Sequence, residues 1–575
     1  MQRLLIGSLL ILLSGAAVAD SINIRDSVRE EVLANGMKIL LVQKPGAPMV
    51  SAGWVAHVGS ANEQPGITGI SHLFEHMMFK GSPRIGTRDN SLDSDLRVQL
   101  DDIRQQMFDL ERQYRLQVRL GEGESVSDPA LQSDDMAALK KRFEALIEQQ
   151  RENTIKDEFD QIYTEAGATG MNAFTNQDMT VYFIRVPRNK LELWFWMESE
   201  RLAQPVFREF YSERDVVYEE RRMRTDSTPT GAQNEVFNSL LWRGHPYGWP
   251  VVGWPSDISA ITREQAEAYF DLYYAPNNIT LALVGDFNEQ QAMDWANDYF
   301  GRIPRGRDNP PDVVTLAMPM LGNLDYRAEV DAPPSASIHF RTAAFNGKED
   351  PALQVLGEVL SGKTGRLYKR MVLEDKIATA TGASNSTQKY DGEFVAFANG
   401  TSEVSPDRLK AVILEEIDKI KREGITEYEL QKVQNQLTAD MYRRLEDNFF
   451  LLIQLLYYDG LRDWTSMDTA FARVRDVSTA DVQRVAQEFL VEDAMASKLY
   501  TRKESDEPED PELAQFDAQQ QQMIQQMMGQ MGQLPVDQIP QAMDRLRGFQ
   551  AQAPEEAQAA ITYVLAKLQD QLDAE

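Results

Sequence analysis

Runs of apolar residues change their spacing along the first part of the chain. Apolar, β-branched runs at 37–42, after the turn Asn35-Gly36, and at 50–58 predict two strands. From Ile67 onward, apolar residues recur every three or four positions, which predicts a helix. The same patterns predict further elements up to a Gly- and Pro-rich segment at 301–311: a strand at 180–186, helices at 191–202, 209–224 and 263–272, and a strand at 279–284.

A similar order of elements returns in the second half of the chain. It predicts a strand at 337–341, a helix at 351–360, a strand at 393–398 and then helices up to Phe489. The repeated order predicts an α+β protein with two lobes of similar build, each of mainly antiparallel sheet packed with helices. We place the boundaries of these parts as follows: the N-terminal lobe at 20–305, a linker at 306–324 and the C-terminal lobe at 325–503.

Residues 91–155 form a strongly charged insertion with a helical period. Two runs of apolar residues spaced three and four apart are joined by a polar stretch at 121–135. This arrangement predicts an antiparallel helical hairpin that projects from the first lobe. A short helix pair packed in the core is the alternative.

The two ends of the chain differ in composition from the rest. Residues 1–19 have the order of a secretory signal peptide, with Arg3, an apolar run and the small residues Ala17-Val18-Ala19. We therefore expect cleavage after Ala19. Residues 504–575 are rich first in Asp, Glu and Pro and then in Gln and Met, which predicts an acidic linker and a partly helical tail.

Composition excludes several kinds of site and partner. The sequence has no cysteine, which excludes disulfides, thiolate metal ligands and thiol nucleophiles. Avoidance of cysteine, together with the signal pattern, indicates the oxidising bacterial periplasm. The formal net charge of −30 at pH 7 disfavours nucleic acid as a partner. No stretch after the signal is apolar over the length that predicts a membrane span.

The candidate chemistry centres on the segment His72-Leu73-Phe74-Glu75-His76. His72 and His76 are two of only five histidines, and at positions i and i+4 of a helix both imidazoles can reach one ion. Zinc held by imidazoles lowers the pKa of a bound water to about 7, and Glu75 is the candidate base for that water. The order H-x-x-E-H is the inverted zinc-peptidase motif. We therefore predict one Zn²⁺ per chain.

Tetrahedral zinc needs a third protein ligand, and the predicted helix at 209–224 offers three glutamates. Glu213 and Glu220 are seven positions apart and share a face, whereas Glu219 points away. One of the pair can bind the metal while the other orients a histidine. A solvated, charged helix is the alternative for this segment considered by itself.

Several separate blocks resemble the pitrilysin/insulinase family of zinc peptidases, especially its two-lobed branch that includes the mitochondrial processing peptidases. The blocks, in chain order, are Gly59-Ser60 with Glu63, the motif segment 69–81, Asn172-Ala173-Phe174-Thr175, residues 213–220, and Tyr274-Ala275-Pro276-Asn277-Asn278 leading to Val284-Gly285-Asp286. The resemblance spans roughly residues 32–498. It implies an endopeptidase in which His72, His76 and Glu220 bind zinc. Glu75 is then the general base, and Glu213 is an acid behind the ligands.

The resemblance also implies how substrate is held and that a partner is present. Asn172 and Ala173 match the edge strand that pairs with an extended peptide. At the places of the Arg and Tyr with which family members hold substrate from the later lobe, this chain has Val372 and Thr379. Arg370 fits the first place only after a register shift. We therefore expect a dimer, either of two copies or with a related chain that supplies the pair.

Two other hypotheses stay open. One is a non-catalytic peptide-binding or scaffold subunit of the same fold, for which an open metal position has no physical use. The other is a structural zinc protein, although structural sites usually close all four positions with protein ligands, often Cys. An endopeptidase that acts on short or unfolded peptides accounts best for the ligands and base together.

Overall fold

The computed structural model describes residues 24–503, 512–513, 516, 518–531, 538–550 and 553–573. The predicted signal peptide at 1–19 and most of the predicted acidic linker lie outside these residues. The chain divides into two compact units, one that ends at Arg502 and one that begins at Lys503. Among the described helices, none combines the length and the apolar character that crossing a bilayer requires.

The described strands belong to two sheets in the first unit. Those of the first sheet are β1 (Arg29–Val32), β2 (Lys38–Gln43), β3 (Met49–Ala56), β4 (Thr169–Thr175), β5 (Thr180–Pro187) and β6 (Ile279–Gly285). Those of the second sheet are β7 (Leu324–Val330), β8 (Ser335–Thr342), β9 (Ala378–Thr387), β10 (Gly392–Gly400) and β11 (Ala496–Arg502).

Helices surround both sheets and also form the second unit. In the first half of the chain they are α1 (Ile70–Met77), α2 (Asn90–Arg119), α3 (Asp134–Asn153), α4 (Glu158–Glu165), α5 (Leu191–Ala203), α6 (Phe210–Arg221), α7 (Gly231–Leu241), α8 (Pro255–Ile258), α9 (Arg263–Tyr273) and α10 (Glu289–Trp295). Those that follow are α11 (Asp350–Leu360), α12 (Arg366–Tyr368), α13 (Pro406–Glu423), α14 (Glu427–Glu446), α15 (Asn448–Leu461), α16 (Ser466–Arg475), α17 (Thr479–Phe489), α18 (Ala518–Met531), α19 (Ile539–Gln550) and α20 (Glu555–Asp573). The last three share a small core that includes Ile539, Ile561 and Val564.

Both sheets are mainly antiparallel. The first has the order β1-β2-β6-β3-β5-β4, in which β2 and β6 pair in parallel. The second has the order β7-β11-β8-β10-β9, in which β7 and β11 pair in parallel. The predicted α+β fold of two lobes is therefore confirmed. In the first sheet β4 is an edge strand, with a neighbouring strand on one side only.

The first sheet is buried on both faces. Trp54 of β3 packs in the core that also contains Phe74 of α1. The next residue, Val55, points to the opposite face and packs in a core with Leu452 and Leu456 of α15. Helix α15 therefore covers the first sheet although it lies among the elements of the second lobe. Burial of each leucine there contributes about 1.5–3 kcal/mol.

Helices α2 and α3 form the hairpin predicted at 91–155. Its base packs on the first lobe, where Tyr211 Oη donates a hydrogen bond to Asp101 Oδ1 at 2.9 Å and the Tyr211 and Phe143 ring centroids are 5.3 Å apart. At the distal end, Tyr114 Oη and Ser133 Oγ are 2.8 Å apart and join the two helices to each other. The base of the hairpin thus packs on the first lobe, whereas at the distal end its two helices pack on each other.

Several local features differ from the sequence prediction, which did not include the strands β7, β9 and β11. The polar strand β9, with the sequence ATATGASNST, has no regular alternation of apolar residues because it lies at the edge of its sheet. The helix predicted at 209–224 begins at Phe210, because Glu209 has a left-handed backbone with φ of 56°. It ends at Arg221 and continues as a π-helical turn, Arg222–Asp226.

A buried ionic network joins α15 to the first sheet. Asp459 Oδ1 lies 2.7 Å from Lys38 Nζ of β2, and Thr280 Oγ1 of β6 donates to Asp459 Oδ2 at 2.5 Å. His57 Nε2 lies 3.4 Å from the same oxygen. Burial disfavours the charge of Asp459, but His57 and Lys38 outweigh this effect and hold the pKa of the carboxyl well below its usual range. The ionised form is the one that stabilises the packing of α15.

The substitution Asp459→Asn should lower the free energy of unfolding by about 2 kcal/mol at neutral pH, because it leaves Lys38 without its counter-charge. Since the native pKa is depressed, this contribution is fully present above the unfolded pKa of about 3.9 and is lost progressively as the pH falls from there through the lower pKa of the folded protein. Thermal unfolding of the two proteins, followed by calorimetry from neutral pH to about pH 3, should therefore show a stability difference that is constant near neutrality and narrows below about pH 4.

The matched control is Asp418→Asn on α13, where the carboxylate pairs with Lys421 at the surface. It should change stability by less than about 0.5 kcal/mol. A difference between wild type and Asp459→Asn that stays constant as the pH falls would contradict the assignment of an ionised Asp459.

Candidate metal centre

Helix α1, which carries the H-x-x-E-H segment, is anchored at its first turn by a buried glutamate. The carboxylate of Glu63 accepts hydrogen bonds from the N–H groups of Gly69 and Ser71, each at 2.8 Å. Burial raises the pKa of Glu63 to about 8, against the lowering effect of these two bonds. A Cβ on Gly69 would meet the Val252 carbonyl oxygen at 2.4 Å, so this position requires glycine. The start of α1 is thereby held in one place.

Helix α6 presents Glu220 to both histidines of the motif. His76 Nε2 lies 3.3 Å from Glu220 Oε2, and His72 Nε2 lies 3.7 Å from the same oxygen. One ligand atom from each of the three residues lies within 4.8 Å of those of the other two. Arg224 Nη1 is 2.7 Å from the other oxygen, Glu220 Oε1, which leaves Oε2 directed at the imidazoles.

The donor set of this cluster fits zinc. Two imidazole nitrogens and a carboxylate oxygen are the protein ligands of one class of catalytic zinc site. With metal–ligand bonds of about 2.0–2.2 Å in a tetrahedron, neighbouring donors lie about 3.3 Å apart. The separations of 3.3 and 3.7 Å from Glu220 Oε2 to His76 and His72 are close to this value. The three predicted ligands thus lie together, although 144 positions separate His76 from Glu220.

The environments of the two histidines differ. Burial lowers the pKa of His72 to about 3, and the charges of His76 and Arg224 act in the same direction. The neutral imidazole favoured by this shift is the form that binds metal. Burial also disfavours the charged form of His76, but the hydrogen bond and the charge of Glu213 outweigh it and raise the pKa of His76.

Glu213 lies behind His76, on the side away from Glu220. Glu213 Oε1 is 3.0 Å from His76 Nδ1, and Lys80 Nζ is 2.5 Å from Glu213 Oε2. A ring N–H donated to this carboxylate orients the imidazole and leaves Nε2 directed at Glu220. The spacing of the glutamates did not decide which of the two faces the histidines; the packing of α6 on α1 does. Glu219 is exposed and pairs with Arg222.

Glu75 of α1 is held in place by a residue of the edge strand β4. Thr175 Oγ1 donates a hydrogen bond to Glu75 Oε2 at 2.7 Å. Burial raises the pKa of Glu75, against this hydrogen bond. Sequence reasoning missed the roles of Thr175, Lys80 and Arg224. Lys80 follows His76 by four positions and Arg224 follows Glu220 by four positions, a spacing at which side chains on one helix can make contact.

Asn172 and Ala173 lie on β4, the strand that also carries Thr175. Ala173 is in register with Tyr182 of β5. Its N–H donates to Asn172 Oδ1 at 2.9 Å, and Asn172 is exposed. An edge strand of this kind is available to an added strand.

The residues considered for the missing Arg and Tyr make other contacts. Arg370 Nε lies 3.1 Å from Asp375 Oδ2 within its own segment. Val372 is half-buried and packs against the core of the second lobe. Thr379 is exposed, and its Oγ1 donates to the Asn399 carbonyl at 3.3 Å. Arg370 is therefore already paired with a carboxylate of its own segment.

Two parts of the chain match models of one peptidase family. Residues 38–92, which contain the H-x-x-E-H segment, match the family described as Insulinase (Peptidase family M16). Residues 260–437 match the Peptidase M16 inactive domain. The zinc protease PqqE of Helicobacter pylori is 27% identical over 350 residues, which cover 58% of this chain and 76% of the relative. The uncharacterized zinc protease SCO5738 of Streptomyces coelicolor is 22% identical over 476 residues, covering 81% and 87%.

Solved structures share the fold. A protease from Helicobacter pylori superposes with a TM-score of 0.67 at 22% identity, covering 82% of this chain and 99% of that chain. The periplasmic protease PqqL from Escherichia coli gives a TM-score of 0.60 at 14% identity, covering 83% of this chain and 48% of that chain. The two-lobed architecture is therefore common to these proteins.

The substitution Glu213→Gln should weaken zinc binding by about 10- to 100-fold, because the amide lacks the charge that orients and polarises His76. Competition with a chromophoric chelator measures the Kd of the purified protein for zinc. Glu219→Gln on the same helix is the matched control, since Glu219 is 59% exposed, and its Kd should equal that of the wild type. Equal affinities for all three proteins would show that Glu213 does not support the metal site.

Proposed function

The chain belongs to the insulinase (M16) family of peptidases, and from this premise we propose that it is a zinc-dependent endopeptidase of short or unfolded peptides. The observation that carries the proposal is the convergence of His72, His76 and Glu220, with Glu75 on the same helix as the two histidines. A family peptidase needs such a metal centre for hydrolysis, and several relatives are named zinc proteases.

In this proposal His72 Nε2, His76 Nε2 and Glu220 Oε2 hold one Zn²⁺ per chain. When bound, zinc polarises a carbonyl and makes a water more acidic. With three protein ligands, such a site would keep room for a water or the substrate, as catalytic sites require. Glu213 keeps His76 in the ligating orientation through its contact with Nδ1.

Glu75 acts as the general base. Its Oε2 is held by Thr175, which leaves Oε1 to accept the proton of the attacking water. The same carboxyl then donates this proton to the amine nitrogen of the leaving peptide. Because Thr175 stands on β4, the strand proposed to hold the substrate also positions the base.

The edge of β4 binds the substrate as an additional antiparallel or parallel strand. Asn172 and Ala173 contact the substrate backbone in this arrangement. Only a segment with free N–H and C=O groups can add to a sheet edge. This requirement selects short or unfolded peptides and excludes a segment that is paired within a folded protein.

The alternative function is a non-catalytic subunit that binds peptides with the same fold. The description "inactive" belongs to residues 260–437, whereas the proposed ligands and base lie between residues 72 and 220. The contact between Thr175 and Glu75 favours catalysis, because a scaffold does not need a positioned base.

We further propose that the protein acts in the periplasm as a dimer, either of two copies or with a related chain. Residues 1–19 support export, and PqqL of Escherichia coli is described as a periplasmic protease. The resemblance to the family places Val372 and Thr379 where family members carry the substrate-binding Arg and Tyr. A partner that supplies this pair would complete the site.

The substitution Glu75→Gln should lower kcat by a factor of about 10² to 10⁴ and leave the zinc content at one per chain, because the amide cannot accept the proton. Protein purified from its native host, with any retained partner, is assayed on a quenched peptide library, and its zinc is measured by mass spectrometry. A chelator should abolish wild-type cleavage and added zinc should restore it. Cleavage by Glu75→Gln at the wild-type rate would refute the assigned base.

A further inference from the structure

A cavity of about 280 Å³ opens beside the proposed catalytic residues. Glu75, His76 and Glu213 form one part of its lining, and Asn172 of β4 forms another. A peptide bound along β4 with its scissile bond near Glu75 would therefore direct a neighbouring side chain into this cavity. The lining of the cavity then decides which side chain fits.

One wall of the cavity comes from residues 154–158, where the inserted hairpin returns to the first lobe. This return segment is joined to the loop that follows α1. Ile155 N donates to the Gly86 carbonyl at 3.1 Å, and the Gly86 N–H donates to the carboxylate of Glu158. The wall is thus fixed relative to the helix that carries the two histidines.

A buried arginine strengthens the same connection. Arg208, which is 1% exposed, donates to the carbonyls of Lys80 and Ile85 at 2.9 and 3.0 Å. Its Nε lies 3.2 Å from Asp93 Oδ1 in the first turn of α2. The base of the hairpin and the loop after α1 therefore form one rigid frame around the cavity.

The lining of the cavity is apolar in one part and acidic in another. Phe79, Phe159 and Ile155 supply apolar surface, and the Phe79 and Phe159 ring centroids are 6.4 Å apart. Asp157, which is exposed, and Glu158 supply carboxylates from the return segment.

The one lysine of the lining is already paired with other acids of the cavity. Lys80 Nζ lies 2.5 Å from Glu213 and 3.7 Å from Glu209. Its charge is therefore compensated, and among the lining residues Asp157 and Glu158 add negative charge on the side of the return segment.

We propose that this cavity binds the side chain of a lysine or arginine next to the scissile bond, and that the return segment 154–158 makes it selective for positive charge. The inference rests on the proposed function. The aliphatic stem of such a side chain packs on Phe79 and Phe159, while its charged end reaches Asp157 and Glu158. An acidic side chain would meet the like charges of Asp157 and Glu158.

Peptides that differ at one position test this selectivity. The varied residue is lysine, the uncharged norleucine with a similar stem, or glutamate, and it is moved along the peptide while mass spectrometry identifies the cleaved bond. At one position flanking that bond, kcat/KM for lysine should exceed that for norleucine about tenfold, and glutamate should be the poorest. Equal values for lysine and norleucine at every position, or higher values for norleucine, would overturn the proposal.

The double variant Asp157→Asn, Glu158→Gln removes the charge and keeps the shape. Asn tolerates the left-handed backbone of residue 157, where φ is 56°, and Gln keeps an acceptor for the Gly86 N–H. The lysine-to-norleucine ratio should fall to about one. The control Glu122→Gln, Glu124→Gln removes the same charge from exposed positions near the tip of the hairpin and should keep the wild-type ratio. A loss of selectivity in the control, or none in the double variant, would refute the role of the wall.

Binding to the Glu75→Gln protein separates this inference from the proposed function. Fluorescence anisotropy of labelled lysine and norleucine peptides, with and without the double substitution in that background, needs no turnover. Preference for lysine that depends on residues 157 and 158 supports the cavity, even if the wild type cleaves nothing and the peptidase proposal fails. Cleavage by the wild type without any such preference in binding overturns the cavity and leaves the peptidase proposal intact.

Discussion

The packing of Phe74 controls the orientation of the candidate metal centre. Helix α1 has only eight residues, and its buried side holds Phe74 against Tyr269 and Tyr274, with ring centroids 5.4 and 5.2 Å away. Aromatic contacts of this kind contribute about 0.5–1.5 kcal/mol each beyond the burial of area. Because a helix turns by a fixed angle per residue, fixing Phe74 also fixes where His72 and His76 point. The approach of Glu220 to within 3.3 Å of His76 depends on that orientation.

Charge around the centre is arranged in pairs that each hold one group in place. Glu213 is shared between His76 and Lys80, and Arg224 takes the oxygen of Glu220 that faces away from the imidazoles. Glu213 and Glu220 thus each have a cation and a ring nitrogen next to them, which offsets the cost of burial. The arrangement leaves one carboxylate oxygen and two imidazole nitrogens directed at a common point, so the cluster is prepared for a cation before one binds.

The inserted hairpin is part of the site's surroundings, because its base shares hydrogen bonds with the loop after α1. The Arg208 guanidinium connects that loop to α2 through its contact with Asp93. Helix α15 has a comparable role on the opposite face of the first sheet, where Asp459 meets Lys38 and Thr280. Segments that are remote in sequence therefore hold the first sheet and the helix that carries His72 and His76 from both sides.

The sequence alone determined the helices and strands in which apolar residues recur at a regular interval. It also determined the candidate ligands that lie at a fixed spacing within one helix. The strands around Trp54, the hairpin and the paired histidines at i and i+4 belong to this class, because neighbours along one helix or strand are set by its geometry. Resemblance to a known family implied that Glu220 and not Glu213 is the ligand. The spacing could not decide this, since both share one face of α6.

Only the tertiary structure decided which distant segments meet. It placed Thr175 on Glu75, α15 on the first sheet and the return segment 154–158 beside His76. It also revealed β9, an edge strand whose polar sequence lacks the usual alternation of apolar and polar residues. These contacts arise from packing between elements far apart in the chain. The spacing of apolar residues within one element does not predict such packing.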